Sequence, residues 1–405
     1  MKNSRREIGV SASALWRRYG RLRYEALPAP VCDVAAHCLL DWFGCALAGS
    51  SEPLVQILRD EMAAVPGPCA LIGSTQATTA TNAALINGAA GHALDYDDTS
   101  MQMVGHPTAP VLPALLALAQ ERGASGKVLL TALVVGVQVE TLLGRAIGIG
   151  HYRRGWHVTA TIGVFGAAAG AAHLMGLDET RFGHALGIAA SQSSGLKANF
   201  GTMTKPLHAG QAAERGLLAA RLAARGFTAN GDAFAGKQGL MEAAGDGPAG
   251  VSPALAGEQG GERWAIVDTL FKHHASCHLT HAAIEATTAL RARLDGALLQ
   301  AQITVNPALL DVCAIASPTT GLEGKFSLAA TAAMAWLGVD TGDPASFVDG
   351  TIQREDLQRL LDRVEIRTDA DLTLTAATVA IQTDAGQQAW ESRDVGVPVR
   401  DLAAQ

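Results

Sequence analysis

The sequence is poor in charge and in aromatic rings. Of its 405 residues, 17% are Asp, Glu, Lys or Arg and 5% are Phe, Trp or Tyr, whereas 48% are hydrophobic. A chain this apolar is globular, not disordered, and its length allows two domains with a sizeable core. There is no basic stripe and no interleaving of aromatic with basic residues, and the net charge is −7, so nucleic acid is not an expected partner. The six cysteines, Cys32, Cys38, Cys45, Cys69, Cys277 and Cys313, contain no CxxC pair. This argues against a zinc knuckle or a disulfide framework and for a reducing, cytoplasmic location. The arginines of the first fifteen residues are followed by no apolar run, so a secretory leader is not expected. Val158 to Leu177 is nearly uncharged and as long as a membrane span. It is mainly Ala, Gly and Thr around His173, without leucine-rich hydrophobicity, and is expected to be a buried helix. No strand–GxGxxG–helix unit, HExxH motif, EF-hand spacing or tandem repeat occurs.

The apolar fraction leans on alanine, and there are 44 glycines. Small side chains predict closely packed helices and an extensive subunit interface, and a homodimer is expected through Val158 to Leu177 and Leu217 to Ala224. Helices are expected at Val31 to Ala48, Thr78 to Leu94, Ala109 to Gln120, Gly155 to Met175, Arg181 to Ser191 and Lys205 to Arg225. Val128 to Ile147 is ambiguous: Val134, Val135, Val137 and Val139 suit a strand, but its length favours a helix. After about Gly261 the pattern changes. Gln302 to Val305, Val364 to Arg367 and Thr378 to Thr383 read as strands, with a turn at Asp384–Gly386 returning through Gln388 to Ser392. Helices recur at Thr280 to Leu294 and Phe326 to Leu337. The expected fold is mostly α, with a large all-helical domain at 1–260 and a smaller α+β lid domain at 261–405. The linker is expected in the Gly/Pro-rich stretch Gly245 to Gly261.

Four stretches carry chemistry. In the first, His92, Asp95, Asp97, Asp98 and Thr99 precede Gly105-His106-Pro107. At helical spacing His92, Asp95 and Thr99 share a face, while Asp97 and Asp98 point elsewhere and cap the next turn. The proline restrains the backbone that presents His106. The second runs from His151 and Tyr152 through Trp156 to His157, which would open the small-residue helix; a helix N-terminus disfavours imidazolium, so a neutral His157 suits a base beside a carboxylate. The third, Thr204-Lys205-Pro206-Leu207-His208-Ala209-Gly210, starts a helix with Pro206 in its first turn. Lys205 is then a cation at the unfavourable helix end, a cost that a nearby anion offsets. The fourth is Lys272 to His281. If it is helical, His274, Cys277, His278 and His281 share a face, but the outer two lie about 10 Å apart along the axis, too far for one zinc ion to take all four.

In this order the motifs resemble the MmgE/PrpD family. The stretch from Leu27-Pro28 to Gly49-Ser50, the His92–Thr99 and Gly105–Pro107 pair, Thr204–Gly210, Lys272–His281 and Gly324-Lys325-Phe326-Ser327-Leu328 carry the resemblance. It implies a helical domain with a lid, a homodimer and no cofactor or metal. It also implies that Asp95, Thr99, His106, His157, Lys205 and Lys272 line the site. Some decarboxylases of the family have a tyrosine in the lid helix where this chain has Lys325–Ala330, and a histidine about where Cys277 stands, with His278 one place on. The stretches around Tyr152 and Asn199 to Lys205 are similar to iminodisuccinate epimerase, which makes Tyr152 a proton-transfer candidate. The family's last segment, which returns to the helical domain, is expected to be short or absent here.

The resulting expectation is a lyase of the dehydratase or decarboxylase kind, acting α to a carboxylate of a small di- or tricarboxylate. An epimerase of the iminodisuccinate type is the alternative. Lys205, Lys272, His208 and His278 would bind substrate. His106 and His157, or Tyr152, would move protons, with Asp95 and Thr99 orienting one imidazole. Neutralising a developing enolate is the natural remedy for so weak a carbon acid. His106, His157 and Lys205 are expected to converge on one cleft between the two domains. Two other classes compete: a magnesium-dependent terpenoid-type enzyme using Asp95, Asp97 and Asp98, and a silent binding member.

Overall fold

The computed structural model describes residues 10–62, 64–246 and 264–392. Most of the expected linker, 247–261, and the last residues, 393–405, lie outside these. The chain divides into two compact units. The first holds residues up to Ala93, then Asp97–Leu196 and Pro206–Thr269; the second holds Leu94–Tyr96, Lys197–Lys205 and everything from Leu270.

The first unit is built of helices α1 (Ala12–Tyr19), α2 (Ala29–Gly49), α3 (Pro53–Met62), α4 (Ala80–His92), α5 (Thr108–Arg122), α6 (Gly126–Ile147), α7 (Ile149–Arg153), α8 (Val158–Thr161), α9 (Gly163–Leu174), α10 (Glu179–Gln192), most of α11 (Thr204–Ala224) and α12 (Leu240–Ala244). It is not purely helical, because β1 (Cys69–Ala70) and β2 (Ala77–Thr78) form a small antiparallel ladder. The ambiguous valine stretch is helix α6. Ser125 caps its start by accepting from Val128 N, and all four valines are buried. Burial of the whole stretch overrides the β preference of its branched side chains. The stretch expected as one helix from Gly155 begins at Val158 and is broken at Ile162 into α8 and α9.

Every residue from Gly163 to Ala172 is buried, and α9 packs on α5, α6 and α10. A methyl on Gly216 of α11 would overlap Ala167 of α9. The small residues of Val158–Ala172 are therefore covered inside one chain, so that part of the expected dimer stretch offers no surface to a second copy. Two other helices, α2 and α6, are long and apolar enough to cross a membrane; the apolar window of α6 is 72% buried in the chain, that of α2 33%.

The second unit is α+β. Its sheet has the order β4-β3-β5-β6, from β3 (Leu298–Val305), β4 (Val364–Thr368), β5 (Ala377–Thr383) and β6 (Gln387–Ser392). β3 runs parallel to β4 and antiparallel to β5, with Ile303 opposite both Ile366 and Val379. Along β5, Ala377, Val379, Ile381 and Thr383 are buried, the period-two pattern of a half-covered strand. Helix α13 (His281–Arg291) packs on β5 and β6. After α14 (Gly321–Gly324), α15 (Leu328–Leu337) packs on α13, on β4 and on α17 (Glu355–Leu361), which follows α16 (Asp349–Ile352).

Candidate active site

In the first unit, five side chains from four segments meet. Helix α4 ends at His92, and the chain reaches Asp97 after a left-handed residue, Asp95, at φ 50°. His92, Asp95 and Thr99 therefore do not share a helical face. The carboxylate that reaches imidazoles is Asp97, not a simple cap: its oxygens lie 2.8 and 3.0 Å from His92 Nδ1 and one lies 3.1 Å from His106 Nδ1. The His106 loop closes by paired backbone bonds between Ser100 and Gly105, and His106 N donates to Thr159 Oγ1 at 3.1 Å. The His92 ring stands edge-on to His106, with centroids 4.5 Å apart, and is stacked on His157 at 5.8 Å. His157 precedes α8, its backbone N–H bound to Gly195 O, and its Nδ1 faces His208 Nδ1 at 3.1 Å. One of those two rings must carry its proton on Nδ1 and the other must present a lone pair there.

Close helix contact positions this cluster. The α carbon of Gly210 on α11 would lie 2.9 Å from a methyl placed on Gly88 of α4, and a methyl on Gly210 would overlap Leu85 O. The two helices therefore approach backbone to backbone, bringing His92, one turn past Gly88, and His208, just before Gly210, to the same place. Gly210→Ala is expected to cost about 1–3 kcal/mol of stability, read as a lowered urea midpoint; an unchanged midpoint would mean that the helices separate freely.

Burial alone would raise the Asp97 carboxyl, but the charges of His106 and His92 and their hydrogen bonds outweigh it and hold it well below the usual carboxylate range. Asp98 behaves oppositely. Burial lifts it to about 7, against the opposing bonds of Thr108 and with the Asp97 charge pushing the same way. It accepts from Thr108 N at 3.2 Å and Thr108 Oγ1 at 2.5 Å, so it holds the first residue of α5, ten positions on, rather than capping the next turn. Glu140 on α6 went unnoticed in the sequence. It is fully buried, neither oxygen has a hydrogen-bond partner among the described residues, and burial followed by the Asp98 charge pushes it well above its ordinary value.

The folded values of Asp98 and Glu140 thus lie above those of the unfolded chain, about 3.9 and 4.3. Above the unfolded values the folded chain keeps protons that the unfolded chain has released, so stability falls as pH rises, for Asp98 up to about 7. Asp97 works the other way, and its contribution is lost only in acid, below the unfolded carboxylate value. The melting temperature is expected to drop between pH 5 and pH 8, and Asp98→Asn and Glu140→Gln should each flatten that drop. Variants that melt with the wild-type pH profile would show that these carboxyls titrate normally.

The second unit holds a cationic cluster. Lys205 Nζ lies 2.9 Å and Lys272 Nζ 3.2 Å from Asp95 Oδ1. Lys272 also donates to Asp95 O at 2.5 Å and Ser276 O at 3.0 Å. Lys205 stands over the Phe200 and Phe326 rings, at 5.5 and 5.3 Å. The anion that offsets Lys205 at its helix start is therefore a side chain of this protein. Lys325 donates to Leu94 O and Ala275 O at 2.8 and 2.7 Å. The sequence showed Lys325 only as part of a motif, and its signal is the lysine between Gly324 and Phe326.

Other candidates part ways. Thr99 is buried, and its hydroxyl has no hydrogen-bond partner among the described residues. Tyr152 sits half-buried on α7. Its neighbour His151 is structural, binding Ala244 O and Thr161 Oγ1, each at 2.8 Å, and stacking on Trp156. The Lys272–His281 stretch is not one helix. Cys277 precedes a short 3-10 turn, and His274 instead bridges Thr341 Oγ1 and Glu285 at 2.8 and 3.0 Å. His278 is buried, its ring 5.0 Å from that of His281. The shared helical face needed for zinc is absent. A magnesium cluster fares no better, since Asp97 is held by histidines, Asp98 by Thr108 and Asp95 by lysines. Among the described residues of the first unit the nearest approach to a metal set is His92, Asp97 and His106, where His92 Nδ1 is hydrogen-bonded to the carboxylate and His106 Nδ1 lies 3.1 Å from the same oxygen.

Residues 17–251 match the MmgE/PrpD N-terminal domain and residues 274–394 the MmgE/PrpD C-terminal domain. Cis-aconitate decarboxylase of Homo sapiens is 33% identical over 306 residues, covering 72% of this chain and 62% of that protein. Cis-aconitate decarboxylase of Aspergillus terreus is 30% identical over 320 residues, 75% of this chain and 64% of the relative. A cis-aconitate decarboxylase-like protein of Aspergillus oryzae is 32% identical over 292 residues, 67% and 59% of the two chains. In each case the chain spans less than two thirds of the relative's length. With both domain matches in their expected order and together spanning most of the chain, this protein belongs to the MmgE/PrpD family.

Proposed function

We propose that the chain is a cofactor-free lyase of the dehydratase or decarboxylase kind, which moves a proton on the carbon α to a carboxylate of a small di- or tricarboxylate. The observation that carries this reading is that one buried carboxylate, Asp97, is shared by His92 and His106. A proton held on His106 Nδ1 by an ionised Asp97 leaves Nε2 with its lone pair, the form needed in a general base. The His106 side chain is 12% exposed, whereas those of His92 and Asp97 are sealed, so His106 is the ring assigned to substrate. The facing pair His157 and His208 can take or return a second proton. Lys205 is assigned to charge neutralisation of the substrate carboxylates and of the enolate-like state, while Lys272, whose three N–H groups go to Asp95 Oδ1, Asp95 O and Ser276 O, positions the Asp95 carboxylate that holds Lys205. The relatives named cis-aconitate decarboxylase favour a tricarboxylate and a lyase. Epimerisation, through Tyr152 as the second proton carrier, passes through the same enolate and is the alternative.

The test is incubation with a panel of di- and tricarboxylates in deuterated water, followed by NMR. Alkene formation or carbon dioxide release supports the lyase, exchange with inversion supports the epimerase, and no reaction or exchange on any member would sink both. Chelation is expected to leave turnover unchanged; turnover lost on chelation and restored by metal would overturn the cofactor-free assignment. A reducing cytoplasmic location belongs to the same reading, supported by six cysteines that are all free.

A homodimer is also proposed, with a second copy on the outer face of α2. There Ala36, Leu40, Gly44 and Leu47 are exposed at helical spacing, Leu40 by 70% and Leu47 by 61%. Light scattering at micromolar concentration should give the dimer mass and, for Leu40→Glu, the monomer mass. A monomeric wild type would exclude it.

A further inference from the structure

Apart from the lysine cluster, the second unit contains two buried thiols that face each other. Cys277 lies just before α13 and Cys313 just after the turn Pro307–Asp311 that follows β3. Cys313 Sγ donates to Cys277 Sγ at 3.3 Å, and both cysteines are free. Backbone bonds hold this arrangement on both sides. Cys277 N donates to Lys325 O and Leu328 N donates to Cys313 O, each at 3.0 Å, so one short segment, 325–328, carries both cysteines. The environment is asymmetric. The bond from Cys313 pulls the Cys277 thiol down, helped by the charge of Lys272 against burial and Asp95. Burial, then Cys277, pushes Cys313 well up. A groove of about 660 Å³ is lined by Cys313 and Ala314 together with Gln358 and Arg359 of α17, and so reaches the Cys313 side of the pair.

We propose that Cys277 and Cys313 are a redox-active dithiol, oxidised to a disulfide by a hydroperoxide and returned by a small thiol. The Cys277 sulfur attacks one oxygen of hydrogen peroxide; the S–O bond forms, the O–O bond breaks, and the departing hydroxide leaves with the thiol proton as water. Cys313 then attacks that sulfur; the S–S bond forms, the S–O bond breaks, and the second hydroxide takes the Cys313 proton as water. Two thiols lose two electrons and one peroxide gains them. Cys277 has the more acidic thiol suited to the first attack, and Cys313, already in contact, resolves the sulfenic acid before further oxidation. The new bond fastens the turn that follows Lys272 to the Cys313 segment, which is itself hydrogen-bonded to Leu328. Any effect on turnover rests on the function proposed above; formation of the bond does not.

The test treats the full-length native protein with hydrogen peroxide, removes the excess, blocks remaining thiols with N-ethylmaleimide and maps the digest by mass spectrometry. Two of the six thiols should be lost, one linked peptide should join Cys277 to Cys313, and dithiothreitol should restore both thiols. In Cys313→Ser, peroxide should leave a dimedone-reactive sulfenic acid on Cys277. Cys69→Ser should form the same linked peptide as wild type. Retention of all the thiols in the wild type, or links joining either cysteine to a different partner, would overturn the proposal, and the wild-type arm decides this even if a variant misfolds.

Discussion

Asp97→Asn is expected to lower turnover by about two to four orders of magnitude, the usual contribution of general acid–base catalysis, while the chain still folds. Asp97 is sealed from solvent and takes Nδ1 of both His92 and His106. Asparagine keeps one acceptor oxygen and replaces the other with a donor. His92 Nδ1 lies against both oxygens and His106 Nδ1 against Oδ2 alone, so the amide NH2 confronts His92 if it takes the Oδ1 place and both rings if it takes the Oδ2 place. A ring so confronted must turn away or move its proton to Nε2, and where that ring is His106 the lone pair proposed to abstract the substrate proton is gone. The loss should fall on kcat more than on KM, because Asp97 is not assigned to substrate binding. Steady-state kinetics on the substrate found by deuterium exchange, with circular dichroism to check folding, measures this. A folded Asp97→Asn enzyme within about tenfold of wild type would remove Asp97 from the proposed mechanism.

Lys272→Met should give the largest loss of stability, about 3–5 kcal/mol, the cost of breaking a buried ion pair from one side. The Lys272 side chain is fully buried, and its ammonium satisfies three oxygens: Asp95 Oδ1, Asp95 O and Ser276 O. Methionine fills the space of the stem and leaves those acceptors without that donor. The effect is compounded by the backbone, since Asp95 sits at φ 50°, where a residue with a side chain is strained, and Lys272 holds its carbonyl. Urea unfolding should show the drop in midpoint; a change below about 1 kcal/mol would mean that Lys205 alone holds Asp95.

Much of the fold was legible. Helices α2, α4, α5, α10 and α11 follow from apolar patterning between caps and breakers, and β3, β4 and the β5–β6 hairpin from period-two alternation. These depend on spacing along the chain, which a sequence displays directly. The valines of α6 were undecidable locally, because a segment buried all round loses the alternation that separates strand from helix. The histidines were legible as candidates, since His106, His157 and His208 each sit in a stretch shaped by glycine or proline. His92 was visible as well, but it was not assigned a role.

By itself the sequence determined that the chain is mostly helical, that its second part changes to α+β, and which stretches carry imidazoles, carboxylates and ammonium groups. The tertiary structure alone decided how three neighbouring aspartates divide. Asp95 went to Lys205 and Lys272, Asp97 to His92 and His106, and Asp98 to Thr108. Continued as a helix, the run would have put Asp95 on the face of His92. The left-handed turn at Asp95 breaks that periodicity, and partners as remote in sequence as Lys205 and Lys272 then select each carboxylate. Cys277 and Cys313 met for the same reason: 36 residues apart in the chain, they are joined through one short segment that binds both backbones.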